Sequence, residues 1–129
     1  MKMTLTEVSI RNKRLAELAN KTLPSKLGYA IAKNLINLQA ELNIIDKGRI
    51  AILDRYAERD AEGNPIIESG SYKLGENLPK FSEEYNEYLE TETDVEIMMV
   101  PSDVLEKLDD PRYDALTGAQ LISIDFMIE

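Results

Sequence analysis

Apolar residues recur at alternating steps of four and three through the centre of the chain: Ile31, Leu35, Leu38, Leu42, Ile45, Ile52 and Tyr56, with Arg49 at the one interrupted step. On a helix such positions line up as one stripe, so the pattern predicts a helix over residues 24–59. At about 1.5 Å per residue it would run about 50 Å, more than a chain of 129 residues can cover fully. Gly48 lies near its middle and costs roughly 1 kcal/mol relative to Ala. A bend or break there, giving helices near 25–46 and 48–59, is the expected alternative to one rod. The stripe itself has two readings. It is ordinary core, or it is a homo-oligomeric coiled-coil seam that Arg49 interrupts or sets in register.

The flanking segments predict shorter elements. Residues 1–5 alternate weakly, as a short strand does. Thr6 is the expected cap of a helix from about Glu7, with Val8, Leu15, Leu18 and Ala19 inward. Residues 20–23 end that helix, because Pro24 disfavours helical backbone in the residue before it. After the long helix, residues 60–65 (Asp-Ala-Glu-Gly-Asn-Pro) read as a stop and turn. Residues 66–67 and 72–74 flank Glu68-Ser69-Gly70-Ser71 as a hairpin. A helix over 79–91 puts Phe81, Tyr85, Tyr88 and Leu89 on one side and Glu83, Glu87 and Glu90 on another. Residues 94–100 alternate as a strand, with Val95, Ile97 and Met99 on one face. A short helix follows from Ser102 to about Leu108. Thr117 caps a last helix over 118–127, inward through Leu121, Ile124 and Ile128. No repeat, low-complexity tract or linker interrupts the series. The expected fold is one α+β domain over 1–129: a long central helix, continuous or kinked, with several shorter helices packed on a small antiparallel sheet.

Composition narrows the chemistry. Apolar residues make up 43% of the chain, the globular norm. There is no His, Cys or Trp, which removes disulfides, Cys/His zinc sites, thiol nucleophiles and any histidine base. No phosphate loop is present, so no cofactor, metal or catalytic residue is assigned. The first 18 residues lack the apolar core of a signal peptide, and no run approaches the roughly 20 apolar residues of a membrane span. Neither a leader nor a membrane contact is expected. Charge is strongly asymmetric. Residues 1–53 hold nine Lys/Arg against four Asp/Glu, or +5, whereas 54–129 hold six against twenty, or −14. An isoelectric point near 4.6 opposes direct nucleic-acid binding.

Three constellations invite a functional reading. Residues 58–64 echo a calcium loop, with carboxylates at alternate positions and Gly63 at the sixth. The twelfth position, however, is Ser69 rather than Glu, and Pro65 disrupts the backbone pairing, so a capped turn is the better account. Glu83, Glu87 and Glu90 form a row that is either a solvated face or a docking face for a basic partner. Arg11, Lys13, Arg14, Lys21, Lys26 and Lys33 form a basic stretch, without interleaved aromatics before Tyr29. They make a solvated face, an internal match for the acidic half, or a contact for phosphate or an acidic protein.

Five segments carry a resemblance: Lys26-Leu-Gly-Tyr-Ala-Ile-Ala-Lys-Asn-Leu35, the run Ile52-Leu-Asp-Arg-Tyr-Ala-Glu-Arg-Asp-Ala-Glu-Gly-Asn64, the Phe81-x-x-Glu84-Tyr-Asn-Glu-Tyr helix, Val95-Glu-Ile-Met, and the ending Leu116-Thr-Gly-Ala-Gln-Leu with Asp125-Phe-Met-Ile-Glu129. From about residue 24 onward the chain resembles a family of small uncharacterised phage and prophage proteins. The resemblance implies a phage or prophage setting and supplies no catalytic residues. The leading expectation is therefore a non-enzymatic interaction protein acting in the bacterial host cytoplasm, as an acidic inhibitor of a host or defence protein. Its partner would present a basic groove to Glu83, Glu87 and Glu90. The alternatives are a virion or assembly component, self-associated through the long helix, and, weakest, a small enzyme.

Overall fold

The computed structural model describes all residues, 1–129. The chain opens with strand β1 (Lys2–Thr4) and helix α1 (Leu5–Ala16), followed by the long helix α2 (Ser25–Tyr56). A two-strand hairpin, β2 (Ile67–Glu68) and β3 (Ser71–Tyr72), leads to helix α3 (Leu78–Leu89) and strand β4 (Glu92–Asp94). A 3-10 helix at Ser102–Asp109 precedes helix α4 (Gly118–Ile124), which ends in a 3-10 turn at Asp125–Met127. β1 and β4 pair antiparallel, with Lys2 opposite Asp94 and Thr4 opposite Glu92. This is the α+β architecture expected, with the hairpin forming a second small sheet.

α2 is one continuous helix of 32 residues, so no break occurs at Gly48. Tertiary packing overrides the propensity cost. A Cβ at position 48 would overlap the Tyr88 hydroxyl of α3, which donates to the Ile45 carbonyl at 3.1 Å. The glycine is thus the notch into which α3 fits. Ile31, Leu38, Ile45 and Ile52 are buried, and Leu35 and Leu42 pack against the same core. The stripe is largely covered by the chain's own interior, as the core reading expects. Arg49 sits at its edge and pairs with Asp46 at 2.8 Å.

One buried cluster joins this stripe to Met3, Leu5, Val8, Leu15 and Leu18 at the front of the chain, and to Val95, Val100, Val104, Ile124 and Met127 at its end. Several expectations are corrected here. The cap of α1 is Thr4, not Thr6: its hydroxyl accepts from the Glu7 amide at 3.1 Å. Ala19 is exposed, because α1 stops at Ala16 and residue 19 lies in the following turns. Residues 102–109 are 3-10 rather than α-helical. In the last helix Thr117 makes the expected cap, a full capping box with Gln120. Leu121 is 40% exposed, however, and Met127 is buried in its place. The tighter 3-10 turn over 125–127 shifts the facing residues.

The strand expected over 94–100 is also different. The ladder runs over Glu92–Asp94 and is continued by Val95, whose amide donates to the Met1 carbonyl at 2.9 Å; Val100 forms an isolated parallel bridge with Ile128, and residues 96–99 pair with no strand. Val95 is buried, Ile97 half-buried and Met99 exposed. The segment is held instead by two asparagines of α2. The fully buried Asn34 donates to the Met98 carbonyl at 3.0 Å and accepts from the Met98 amide at 2.7 Å. Asn37 donates to the Glu96 carbonyl at 2.9 Å. Extended backbone must satisfy its N–H and C=O groups somewhere, and here side-chain amides of a helix stand in for a missing strand.

Candidate interaction surface

α3 is amphipathic, and its two faces have opposite fates. It starts after a 3-10 turn (Gly75–Asn77), with Pro79 in the first turn, where a missing N–H costs nothing. Phe81 and Tyr85 stack at 5.4 Å between centroids, and Tyr88 stands 6.4 Å from Tyr85. Tyr88 and Leu89 pack on the core. Burial holds the Tyr88 phenol above its ordinary pKa, with Tyr85 adding in the same direction. Glu84 turns toward α2 and forms an ion pair with Arg55. The Glu84 carboxylate also raises the Tyr56 phenol above its usual range. Glu84, Arg55, Gly48 and Tyr88 line a cleft of about 450 Å³, and Glu87 stands at its lip.

Glu83, Glu87 and Glu90 lie on the outer side of α3, with Glu87 between that side and the cleft. All three are exposed, and none of their carboxylates takes part in a side-chain hydrogen bond or ion pair, whereas Glu84 beside them does. Glu87 and Glu90 occupy the last turn and C-cap of a helix with no basic residue there. The negative end of the helix dipole disfavours carboxylates at that place by about 0.3–1 kcal/mol each. Their neighbours on the helix face repel them further. The row gains no side-chain contact within the fold. The structure brings its three members onto one surface, as their spacing predicts.

The basic stretch does not neutralise this charge. Arg11 pairs with Glu7 at 3.5 Å and lies 4.7 Å over the Phe126 ring. Lys13, Arg14, Lys26 and Lys33 are exposed without ion-pair partners. No Lys or Arg before residue 54 pairs with an acid after it. The one ion pair joining the two halves is that of the N-terminal ammonium with Asp94 at 2.7 Å, beside Lys2, so internal matching is confined to the β1–β4 edge. Lys13 and Arg14 stand, with Ile10 and Ile122, along a groove of about 620 Å³ between α1 and α4.

The segment resembling a calcium loop uses its carboxylates otherwise. Asp60 Oδ1 accepts from the amides of Glu62 and Asn64 at 2.9 and 3.0 Å, and Glu58 pairs with Lys73 at 3.5 Å. This is the capped turn, with Gly63 at positive φ. Sequence reasoning missed two features: the Arg55–Glu84 pair that orients α3, and Asn34. The second had a signal, since position 34 lies three residues after Ile31 and four before Leu38, on the apolar stripe itself. No protein-family model matches this sequence, and no curated protein or solved structure is similar to it.

Proposed function

We propose that this is a non-enzymatic interaction protein, encoded by a phage or prophage and acting in the bacterial host cytoplasm, which docks the acidic row of α3 onto a basic groove of a host or defence protein and inhibits it. The observation that carries the reading is the contrast within one helix. Glu84 is turned inward and paired, whereas Glu83, Glu87 and Glu90 are exposed, unpaired and placed where the helix dipole opposes them. Carboxylates that cost stability inside the fold and gain no contact there are suited to a contact outside it. A row of such groups presents charge to a cationic groove as a phosphate backbone does. The phage setting rests on the sequence resemblance from residue 24 onward. A virion or assembly component is the alternative, favoured by the outward side of α2, where Ile36 and Ile44 are exposed. Capture from host lysate tests the docking reading. The parent should retain a basic protein at low salt that a Glu83→Gln, Glu87→Gln, Glu90→Gln variant does not. Identical retention by both would remove the acidic row from the account. Mass spectrometry of purified virions separates the alternatives, since a stoichiometric amount there marks a structural component and absence an intracellular one.

A further inference from the structure

The side of α2 turned away from the core carries a three–four repeat of its own. Tyr29, Lys33, Ile36, Ala40, Asn43, Lys47, Ile50 and Asp54 fall at alternating steps of four and three, about half a turn from the buried stripe. The fold leaves this side open: Tyr29 is 58% exposed, Ile36 71% and Ile50 40%, with Ile44 beside them at 62%. Single exposed apolar residues are ordinary, but a row of them along one straight helix marks an interaction surface.

The row complements itself when two copies of α2 run antiparallel. About a two-fold axis between residues 41 and 42, Lys33 meets Ile50 of the second copy, Ile36 meets Lys47, Ala40 meets Asn43 and Tyr29 meets Asp54. These are the layers of an antiparallel coiled coil, in which each a position faces a d position. Asp46 and Asp54 of the second copy stand one turn to either side of Lys33, already paired in their own chain with Arg49 and Arg59 respectively, so that Lys33 would extend those pairs. The lysine stems cover the isoleucines opposite them and keep their ammonium groups in water. A parallel pair would instead set Lys33 on Lys33, Lys47 on Lys47 and Asp54 on Asp54. Ala40 at the centre lets the two backbones approach closely.

We infer that this face is a homodimer seam in which two copies of α2 pair antiparallel. From Tyr29 to Asp54 it is about 37 Å long, and about one helix diameter, about 10 Å, wide. The flat footprint is then about 400 Å² on each copy. The two footprints together come to about 800 Å², short of the roughly 1,000 Å² that a stable interface clears and in the range of weak, transient pairs. The dimer is accordingly weak and transient. This seam is independent of the acidic row on α3.

The chain has no cysteine, so single-cysteine variants report the register directly. Mixed Ala40→Cys and Asn43→Cys proteins should cross-link under mild oxidation, as should Tyr29→Cys with Asp54→Cys. Tyr29→Cys alone should not, because its two copies lie about 37 Å apart, far beyond the roughly 7 Å a disulfide spans between Cα atoms. Sedimentation equilibrium of the full chain should show the mean mass rising toward that of a dimer up to about 500 µM, a range suited to an interface of this size. Ile36→Lys, outside the core, should weaken association at least about tenfold with an unchanged circular dichroism spectrum. A monomer throughout the range overturns the inference. So does self-cross-linking of Tyr29→Cys, which marks a parallel pair, or an Ile36→Lys variant that dimerises like the parent.

Discussion

Replacing Asn34 should separate the role of its side chain from that of the helix that carries it. The side chain is fully buried and makes two hydrogen bonds to Met98, at 3.0 and 2.7 Å. In Asn34→Ala both are lost, at about 0.5–1.5 kcal/mol each, and water reaches the half-buried Met98 groups only in part. The vacated side-chain volume adds about 1 kcal/mol as a cavity cost. The sum is about 3 kcal/mol, a large fraction of the stability of a small domain. Asn37→Ala, which removes one bond at an exposed site, should cost about 1 kcal/mol or less. Asn34→Asp gives a sharper test. One oxygen still accepts from the Met98 amide, but the other faces the Met98 carbonyl, and the buried charge raises the carboxyl's pKa. A raised folded-state pKa means that the variant is most stable when protonated and loses stability as pH rises through that value. Its deficit against the parent should therefore shrink between pH 7 and about pH 4. Urea denaturation at several pH values measures this, and amide exchange of Met98 follows the local bond. An Asn34→Ala cost below about 0.5 kcal/mol, with Met98 exchanging as slowly as in the parent, would refute the clamp.

Three further outcomes follow from packing and charge. Gly48→Ala should destabilise despite the better helix propensity of Ala, because the new methyl collides with Tyr88; in a Tyr88→Ala background the same change should stabilise by up to about 1 kcal/mol, and a double-mutant cycle in urea reads the sign reversal. Leu38→Ala, at a fully buried position, should cost about 2–5 kcal/mol in the denaturation midpoint while leaving the mass in solution unchanged. Because burial raises the Tyr88 phenol, its contribution to stability is complete below about pH 10 and is lost as pH rises through the folded-state value. Spectrophotometric titration should find this tyrosine among the last to ionise, and Tyr88→Phe should remove that share of the alkaline loss.

The long helix was legible because seven apolar positions repeat one period without a competing pattern. What the period could not contain was Gly48, whose meaning depends on Tyr88, forty residues later. The cap of α1 was legible in principle: Thr4 and Glu7 stand at capping-box spacing, and Thr6 competed only by proximity. The alternation over 95–99 is real, but a strand needs a neighbour, and only tertiary structure shows that Asn34 and Asn37 occupy that place. Met127 entered the core because α4 tightens into a 3-10 turn after Ile124, a local rewinding that a 3.6-residue period does not foresee. At the acidic surface, sequence spacing placed Glu83, Glu87 and Glu90 together on one face. It could not say whether the cations of the first half would cover them, since pairing is decided by which elements meet.

The acidic row is tested most directly by isothermal titration of the parent and the Glu83→Gln, Glu87→Gln, Glu90→Gln variant against the protein captured from host lysate, at low and high salt. The variant should bind more weakly at low salt, with the difference narrowing as added salt shortens the screening length toward about 8–10 Å and below, and with most of the loss in the association rate. The variant should fold at least as well as the parent, because it removes like-charge neighbours from the end of a helix that disfavours them. Equal affinity of parent and variant at low salt would contradict the account and leave the row a solvated face.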